Sequence, residues 1–389
     1  MNAVSSSAVK VLTAIILFLT FLQPCLAANA RNIILMIGDG MGPSQVHALW
    51  IYSAEYLDKN LAMVEVMNKG RTAFMYNDTV DNIVPDSAAA ATQIATGVRV
   101  TNRVVSVDGE GKPLKSILEL ARDKGKATGL VTTSAITDAT PAAFAAHVKN
   151  RRDEDVIAEQ LIESGVHVMF GGGRAFFIPG YVEGSKRKDD VDLLGKANKS
   201  GYEITETAEG MMKSGAKKLL GLFSLHSMPS EVNRQGSHTP SLAEMTKKAI
   251  EILSASKDGF FLMVEGGGID HASHHNDITA LISEVMAFDD AVKVAYEFQM
   301  SHGDTLLIIT ADHETGGLAL LPRSVKDRKR KENDSAEGRK EIDRHARWAT
   351  GSHTATPLFL WGIGPGSEKI NGWRHNTEVY FIMREAYRF

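Results

Sequence analysis

Residues Asn32–Gly42 read NIILMIGDGMG. The first six, NIILMI, form an essentially continuous apolar run, and a glycine-rich turn follows at once. A strand buried on both faces of a parallel sheet has this pattern, because neither face alternates with solvent. The pattern recurs outward along the chain. ATGLV at 127–131 leads into TTSAITDAT, the run from Val166 to Phe170 into GGGR, and GFFLMV at 259–264 into EGGGID. TLLII at 305–309 leads into TADHETGG, and the run from Pro357 to Trp361 into GIGPG. Helical stretches lie between, at Leu114–Lys124, Glu154–Ser164, Ser241–Ser254 and Ile278–Gln299. Strands alternating with helices predict an α/β fold with a large, mostly parallel central sheet and helices on both faces. Polar clusters sit just past the strand ends, where open α/β sheets bind ligands. One carboxyl-end rim is thereby expected to collect Asp39, Asp138, Glu265, Asp270, Asp312 and His313.

Four motifs carry candidate chemistry. PDSAAAATQIATG at 85–97 reads as a helix, rich in alanine and closed by Gly97, with Asp86 or Ser87 at its start. Ser87 is either an ordinary N-cap or a nucleophile whose phosphorylated form the helix N-terminus stabilises; the motif alone leaves both open. In EGGGIDHASHHND, Asp270 and His274 are four residues apart and share a helical face, so they suit a metal. Glu265 precedes three glycines, which permit close backbone approach, and His271 and His275 are further candidates. TADHETGG places Asp312 and His313 at a strand end, and GSHTATP offers His353. Carboxylate and imidazole groups in this number suffice for two zinc-like sites and one oxygen-rich octahedral site. Paired metals suit phosphoryl transfer.

Composition narrows the setting. VLTAIILFLTFL at 11–22 follows Lys10 and precedes CLAANA, the layout of a secretory signal peptide over residues 1–28. An uncleaved membrane anchor is the competing reading. Cys25 is the sole cysteine and lies inside this leader, so residues 29–389, read as one domain, have no thiol for disulfides or metals. Any metal must sit on His, Asp and Glu. The formal net charge of -4 gives no general attraction to nucleic acid. The charge-dense stretch at 323–347 reads as a solvated insertion with some helix, or as a lid over the site. The expected location is secreted or periplasmic, with no membrane span once the leader is removed.

Taken in order, NIILMIGDGMG, PDSAAAATQIATG, TDATPAAFAAHVKNR, GGGR, EGGGIDHASHH, TADHETGG and GSHTATP resemble the alkaline phosphatase family, and HNTEVYFIM resembles its last helix. The resemblance implies hydrolysis of small-molecule phosphate monoesters through a phosphoserine on Ser87. It implies two Zn2+ and one Mg2+. One zinc set is Asp270, His274 and His353. The other is Asp39, Asp312, His313 and Ser87. Magnesium is expected at Asp39, Thr140 and Glu265, with Asp138 nearby through water. Arg151 matches the arginine that forks onto two phosphate oxygens, as a guanidinium does and an ammonium does not. A homodimer is also implied. The chain departs at His271, where well-known bacterial members carry lysine. Here His271 accompanies Asp138, whereas animal members pair histidine with histidine at these two places. His271 is expected to touch substrate, and the hybrid pair leaves the third metal's identity open.

Three other functions compete. A sulfatase needs x-Pro-x-Arg after its nucleophile, and Ser87 is followed by four alanines. A phosphodiesterase of the superfamily usually lacks the matching arginine. An exported phosphate- or metal-binding protein would have no use for the nucleophile.

Overall fold

The computed structural model describes residues 29–234, 236–322 and 335–389. Residues 1–28, read above as a leader, and residues 323–334 of the charged stretch lie outside them. In chain order the strands are β1 Asn32–Gly38, β2 Arg71–Tyr76, β3 Ala127–Ala135, β4 Val168–Gly172, β5 Glu203–Thr205, β6 Leu219–Leu222, β7 Phe260–Gly266 and β8 Thr305–Ala311. The short β9 Glu314–Thr315, β10 Ala319–Leu320, β11 Ala346–Arg347 and β12 His353–Thr354 follow, then β13 Leu358–Ile363 and β14 Trp373–His375. Ten of these form one sheet in the order β14-β2-β13-β8-β1-β7-β3-β4-β6-β5.

The apolar run of NIILMIGDGMG, as β1, occupies the middle. β1 is flanked by β7 and β8, both parallel to it, with Ile33 opposite Phe261 and Leu306. Every residue of β1, β7 and β8 is buried, as a strand covered on both faces requires. Consecutive residues of β7 point to opposite faces. Phe260 packs on Phe298 of the helix Ile278–Ser301, while Phe261 packs on Phe144 of the helix Ala139–Ala145. Helices thus cover both faces, and the sheet is mostly parallel, as expected from sequence.

β13 is the exception. It runs antiparallel to both β8 and β2. The turn GIGPG after it therefore lies at the opposite edge from the other strand ends and does not join the rim. The same reversal brings the residues before β13, including His353, to the carboxyl edge of the parallel strands. β2, β5, β6 and β14 escape the apolar-run criterion because they are short or half-exposed. Within the charged stretch, Ser335–His345 is helical, and β11 pairs with β10. Among the described residues no helix is long and apolar enough to cross a membrane.

Candidate active site

Asp86, not Ser87, caps the alanine-rich helix. The helix runs Ser87–Thr96, Asp86 accepts the Ala89 N–H at 3.0 Å, and Gly97 closes it at φ 74°. The reading of Ser87 as a simple cap is thereby corrected. A carboxylate placed one residue earlier takes the capping role, which leaves the Ser87 hydroxyl at the first helical position. It lies 3.2 Å from His313 Nε2 and is buried. The Asp86 carboxylate also accepts the Arg103 N–H at 3.0 Å and pairs with Arg151 at 3.4 Å. Asp86→Ala is therefore expected to cost about 1 kcal/mol of stability through the lost cap and, with Arg151 in the phosphate-binding place the family resemblance implies, to weaken phosphate inhibition by loosening that arginine. Thermal melting and inhibition constants for inorganic phosphate measure the two effects.

The ends of β1, β3, β7 and β8 deliver the remaining groups. Asp39 follows β1, Glu265 is the penultimate residue of β7, and Asp312 and His313 follow β8. His313 Nε2 lies 3.4 Å from Asp39 Oδ1 and 3.2 Å from Asp312 Oδ2. Asp270 and His274 stand on one face of the helix Gly268–His274, 3.2 Å apart. His353 Nε2 lies 3.2 Å from His274 Nε2 and 3.8 Å from Asp270 Oδ1, and its ring stacks on His313 with centroids 3.5 Å apart. Backbone oxygens orient both rings, since His274 Nδ1 meets Gly351 O at 2.8 Å and His353 Nδ1 meets Pro85 O at 2.9 Å. Among the described residues, donor atoms within 4.8 Å of one another form two groups, Asp270–His274–His353 and Asp39–Asp270–His313, with Asp270 common to both. Gly40 makes the approach possible. At φ 70° its added Cβ would stand 2.8 Å from both Asp270 Oδ1 and Thr315 Oγ1.

Glu265 is sealed beside Thr132, whose hydroxyl donates to it at 2.5 Å. Thr140 is buried in the helix that Asp138 caps. Asp138 accepts the Ala139 N–H at 2.7 Å and Arg151 Nη2 at 2.9 Å. Arg151 thus stretches between Asp86 and Asp138 at the edge of the cluster. His271 lies on the same helix as Asp270 and His274, with an exposed side chain, while the Asp138 carboxylate is turned to Arg151.

Electrostatics give this cluster its character. Burial raises the Asp39 carboxyl well above its usual range, and repulsion from Asp312, Asp270, Glu265 and Asp138 raises it further. Burial pushes Glu265 to about 8, with Asp138 adding to the rise, and Asp312 to about 7, with Asp270 adding. Burial would also raise Asp270, but the hydrogen bond from His274, with the neighbouring imidazoles and the Thr315 hydroxyl, holds it below the ordinary range. Hydrogen bonding to Asp270 lifts His274 to about 9 against the effect of burial. Burial and the adjacent His353 hold His313 well below its usual value. So many acids packed together in a dry site need a countercharge before all can ionise. Asp39 Oδ1, Asp312 Oδ2 and Thr140 Oγ1 are sealed from solvent without a hydrogen-bond partner. Oxygens of this kind suit metal coordination.

Sequence reasoning passed over several supporting groups. Thr315 donates to Asp270 Oδ1 at 2.5 Å and lies 3.2 Å from His313 Nδ1. Asn77 donates to the Asp312 carbonyl. Glu314 is buried and accepts from Gln45 at 2.7 Å and from Thr354, tying β9 to β12 and to the helix Pro43–Tyr52. Glu314 and Thr315 sit inside TADHETGG, and their place directly after Asp312-His313 was the available signal. Nothing local marks Asn77.

Comparison with known proteins adds an independent line. The family profile described as Alkaline phosphatase matches residues 30–340. "Alkaline phosphatase 4" of Bacillus subtilis is 33% identical over 417 residues, covering 92% of this chain and 88% of that one. Among solved structures, Thermus thermophilus alkaline phosphatase superposes with a TM-score of 0.84 at 29% identity, covering 94% of this chain and 93% of that one. A point mutant of TAB5 alkaline phosphatase with Mg bound in its M3 site gives 0.80 at 30% identity, covering 93% and 99%.

Proposed function

Because the chain belongs to the alkaline phosphatase family of enzymes, we propose that it hydrolyses phosphate monoesters through a covalent phosphoserine at Ser87. The observation that carries this reading is the Ser87 hydroxyl, at a helix start and 3.2 Å from His313, inside a buried acid and histidine cluster.

The metal assignment is the one the family resemblance implies, and the donor chemistry fits it. Asp270, His274 and His353, with two imidazoles and one carboxylate, suit one zinc. Asp39, Asp312, His313 and the Ser87 hydroxyl suit a second. Asp39, Thr140 and Glu265 are all oxygen donors and suit magnesium, with Asp138 beside them. The orphaned oxygens of Asp39, Asp312 and Thr140 support this division, as does the magnesium in the similar TAB5 structure. When bound, these cations supply the positive charge that makes the serine hydroxyl more acidic and offsets charge on the transferring phosphoryl group.

The chain's own residues do the positioning. The free N–H groups at the start of the helix face the phosphate on Ser87. The Arg151 guanidinium, held by Asp86 and Asp138 through one contact at each Nη, offers its remaining N–H groups to two nonbridging oxygens. The Ser87 oxygen forms a bond to phosphorus as the ester oxygen leaves and takes a proton. Water then attacks the phosphoserine, the O–P bond breaks, and Ser87 recovers its proton as inorganic phosphate departs. His271, exposed on the helix that carries Asp270, is assigned to the outer part of the substrate path.

Export by the leader at 1–28 is part of this proposal and rests on its sequence alone. A homodimer is proposed too. Exposed Phe74, Tyr76 and Trp373, on the edge strand β14 and its neighbour β2, are apolar surface that a second copy would cover.

Turnover of a chromogenic phosphate monoester, set against the matching diester, tests the function, and metal analysis of the purified protein accompanies it. Turnover of the diester alone, or of neither, overturns the reading. Arg151→Ala is expected to weaken phosphate inhibition along with turnover, at a cost of roughly 1.5–3 kcal/mol for a lost charge-assisted bidentate contact. An unchanged phosphate inhibition constant in that variant shows the anion to be held elsewhere.

A further inference from the structure

Two arginines beside this site have no carboxylate within ion-pairing distance among the described residues. Arg103 and Arg152 line an open cleft of about 330 Å3 together with Asp86, Asp138, Arg151 and Glu154. Two acids of the cleft are paired with a cation, and the third accepts a neutral hydroxyl. Asp86 and Asp138 hold Arg151, and Glu154 accepts the Thr137 hydroxyl at 2.7 Å. The side chains of Arg103 and Arg152 are both exposed at the mouth.

The backbone at Arg103 is informative. It sits at φ 75°, a left-handed conformation that costs a side-chain-bearing residue energy and costs glycine none. Its N–H is accepted by Asp86 at 3.0 Å, and its carbonyl accepts the Arg151 N–H at 2.8 Å. The turn is thus fastened at both ends to the groups that orient the phosphate-binding guanidinium. Glycine would fit this turn without strain. What the strained residue adds is a cation at the cleft mouth, where the rest of a bound substrate leaves the phosphate pocket.

We infer that Arg103 and Arg152 form a second anion subsite, which favours phosphate monoesters whose leaving group carries a further anionic group over those with a neutral one. This rests on the phosphomonoesterase reading above. A matched pair of substrates isolates it: 3-phosphoglycerate and glycerol 3-phosphate share a three-carbon frame and differ in a carboxylate. On the metal-loaded full chain, the ratio of their kcat/KM values is measured for the wild type and for Arg103→Asn combined with Arg152→Ala. Asparagine tolerates the left-handed turn, so the backbone is kept. The ratio is expected to fall about three- to tenfold in the variant, the range for losing two partly exposed charge contacts. Added salt should erode the wild-type ratio and leave that of the variant flat. Arg103→Gly and Arg152→Ala taken singly should each give part of the fall, which covers a double variant that folds poorly. An unchanged ratio, or equal losses on both substrates, overturns the subsite. Failure of the phosphatase reading is separately visible, because the wild type would then turn over neither substrate, and the subsite would fall with it.

Discussion

Ser87→Ala is expected to lower turnover of a chromogenic phosphate monoester by about a thousandfold or more, the scale seen when a covalent nucleophile is removed. The fold should survive. Alanine is the best helix former and joins four alanines already in place. The cap belongs to Asp86, so the helix start keeps its hydrogen bond. The Ser87 hydroxyl bonds to His313 Nε2, and losing one such bond costs about 1 kcal/mol. Melting temperature should therefore stay close to wild type, and the remaining carboxylate and imidazole ligands should keep zinc bound, while activity disappears. Acid-quenching the wild type with labelled substrate should leave label on the peptide spanning Pro85–Gly97, and the variant should carry none. Label recovered on a peptide without Ser87 would falsify the assignment.

This prediction depends on a distinction the sequence left open. Serine before an alanine-rich run is a common cap, and PDSA fits either role. The answer lies three residues along, in which N–H the Asp86 carboxylate accepts, and that is a three-dimensional fact. Other parts were legible for a plain reason. A strand buried on both faces has to be apolar throughout, so β1, β7 and β8 announced themselves, and the polar residues after them had to sit at one edge. His353 was harder. It reaches the edge because β13 runs antiparallel, and nothing in LFLWGI states a direction. Thr315 and Asn77 were passed over because a hydroxyl or an amide that steadies a ligand has no periodicity. The short strands β5 and β14 were missed because three residues carry too little pattern.

Removing the metals should abolish activity and also change how stability depends on pH. The sign follows from the buried acids. In the metal-free fold Asp312 titrates near 7 and Glu265 near 8, with Asp39 raised as well. Unfolded carboxyls titrate near 4. The folded state therefore holds protons that the unfolded state has released, and stability falls as pH rises from about 4 to about 8. His274, raised to about 9, works in the same direction, since its stabilising proton is lost as pH rises through that value. Asp270, held low, contributes only at acid pH. His313, also held low, opposes the trend only below about 6.5, where the unfolded imidazole binds a proton. The decline should consequently be clearest between about pH 6.5 and 9. Each pKa unit corresponds to about 1.4 kcal/mol, so the coupled cluster as a whole amounts to several kcal/mol. Bound cations replace those protons and add binding free energy to the folded state alone. Thermal melting across this range, with chelated and zinc- and magnesium-saturated protein, should give a falling curve for the first and a higher, flatter one for the second. With no cysteine outside residues 1–28, no disulfide within residues 29–389 can mask the difference. Parallel curves, or activity that survives exhaustive chelation, would show that this cluster does not hold the catalytic cations.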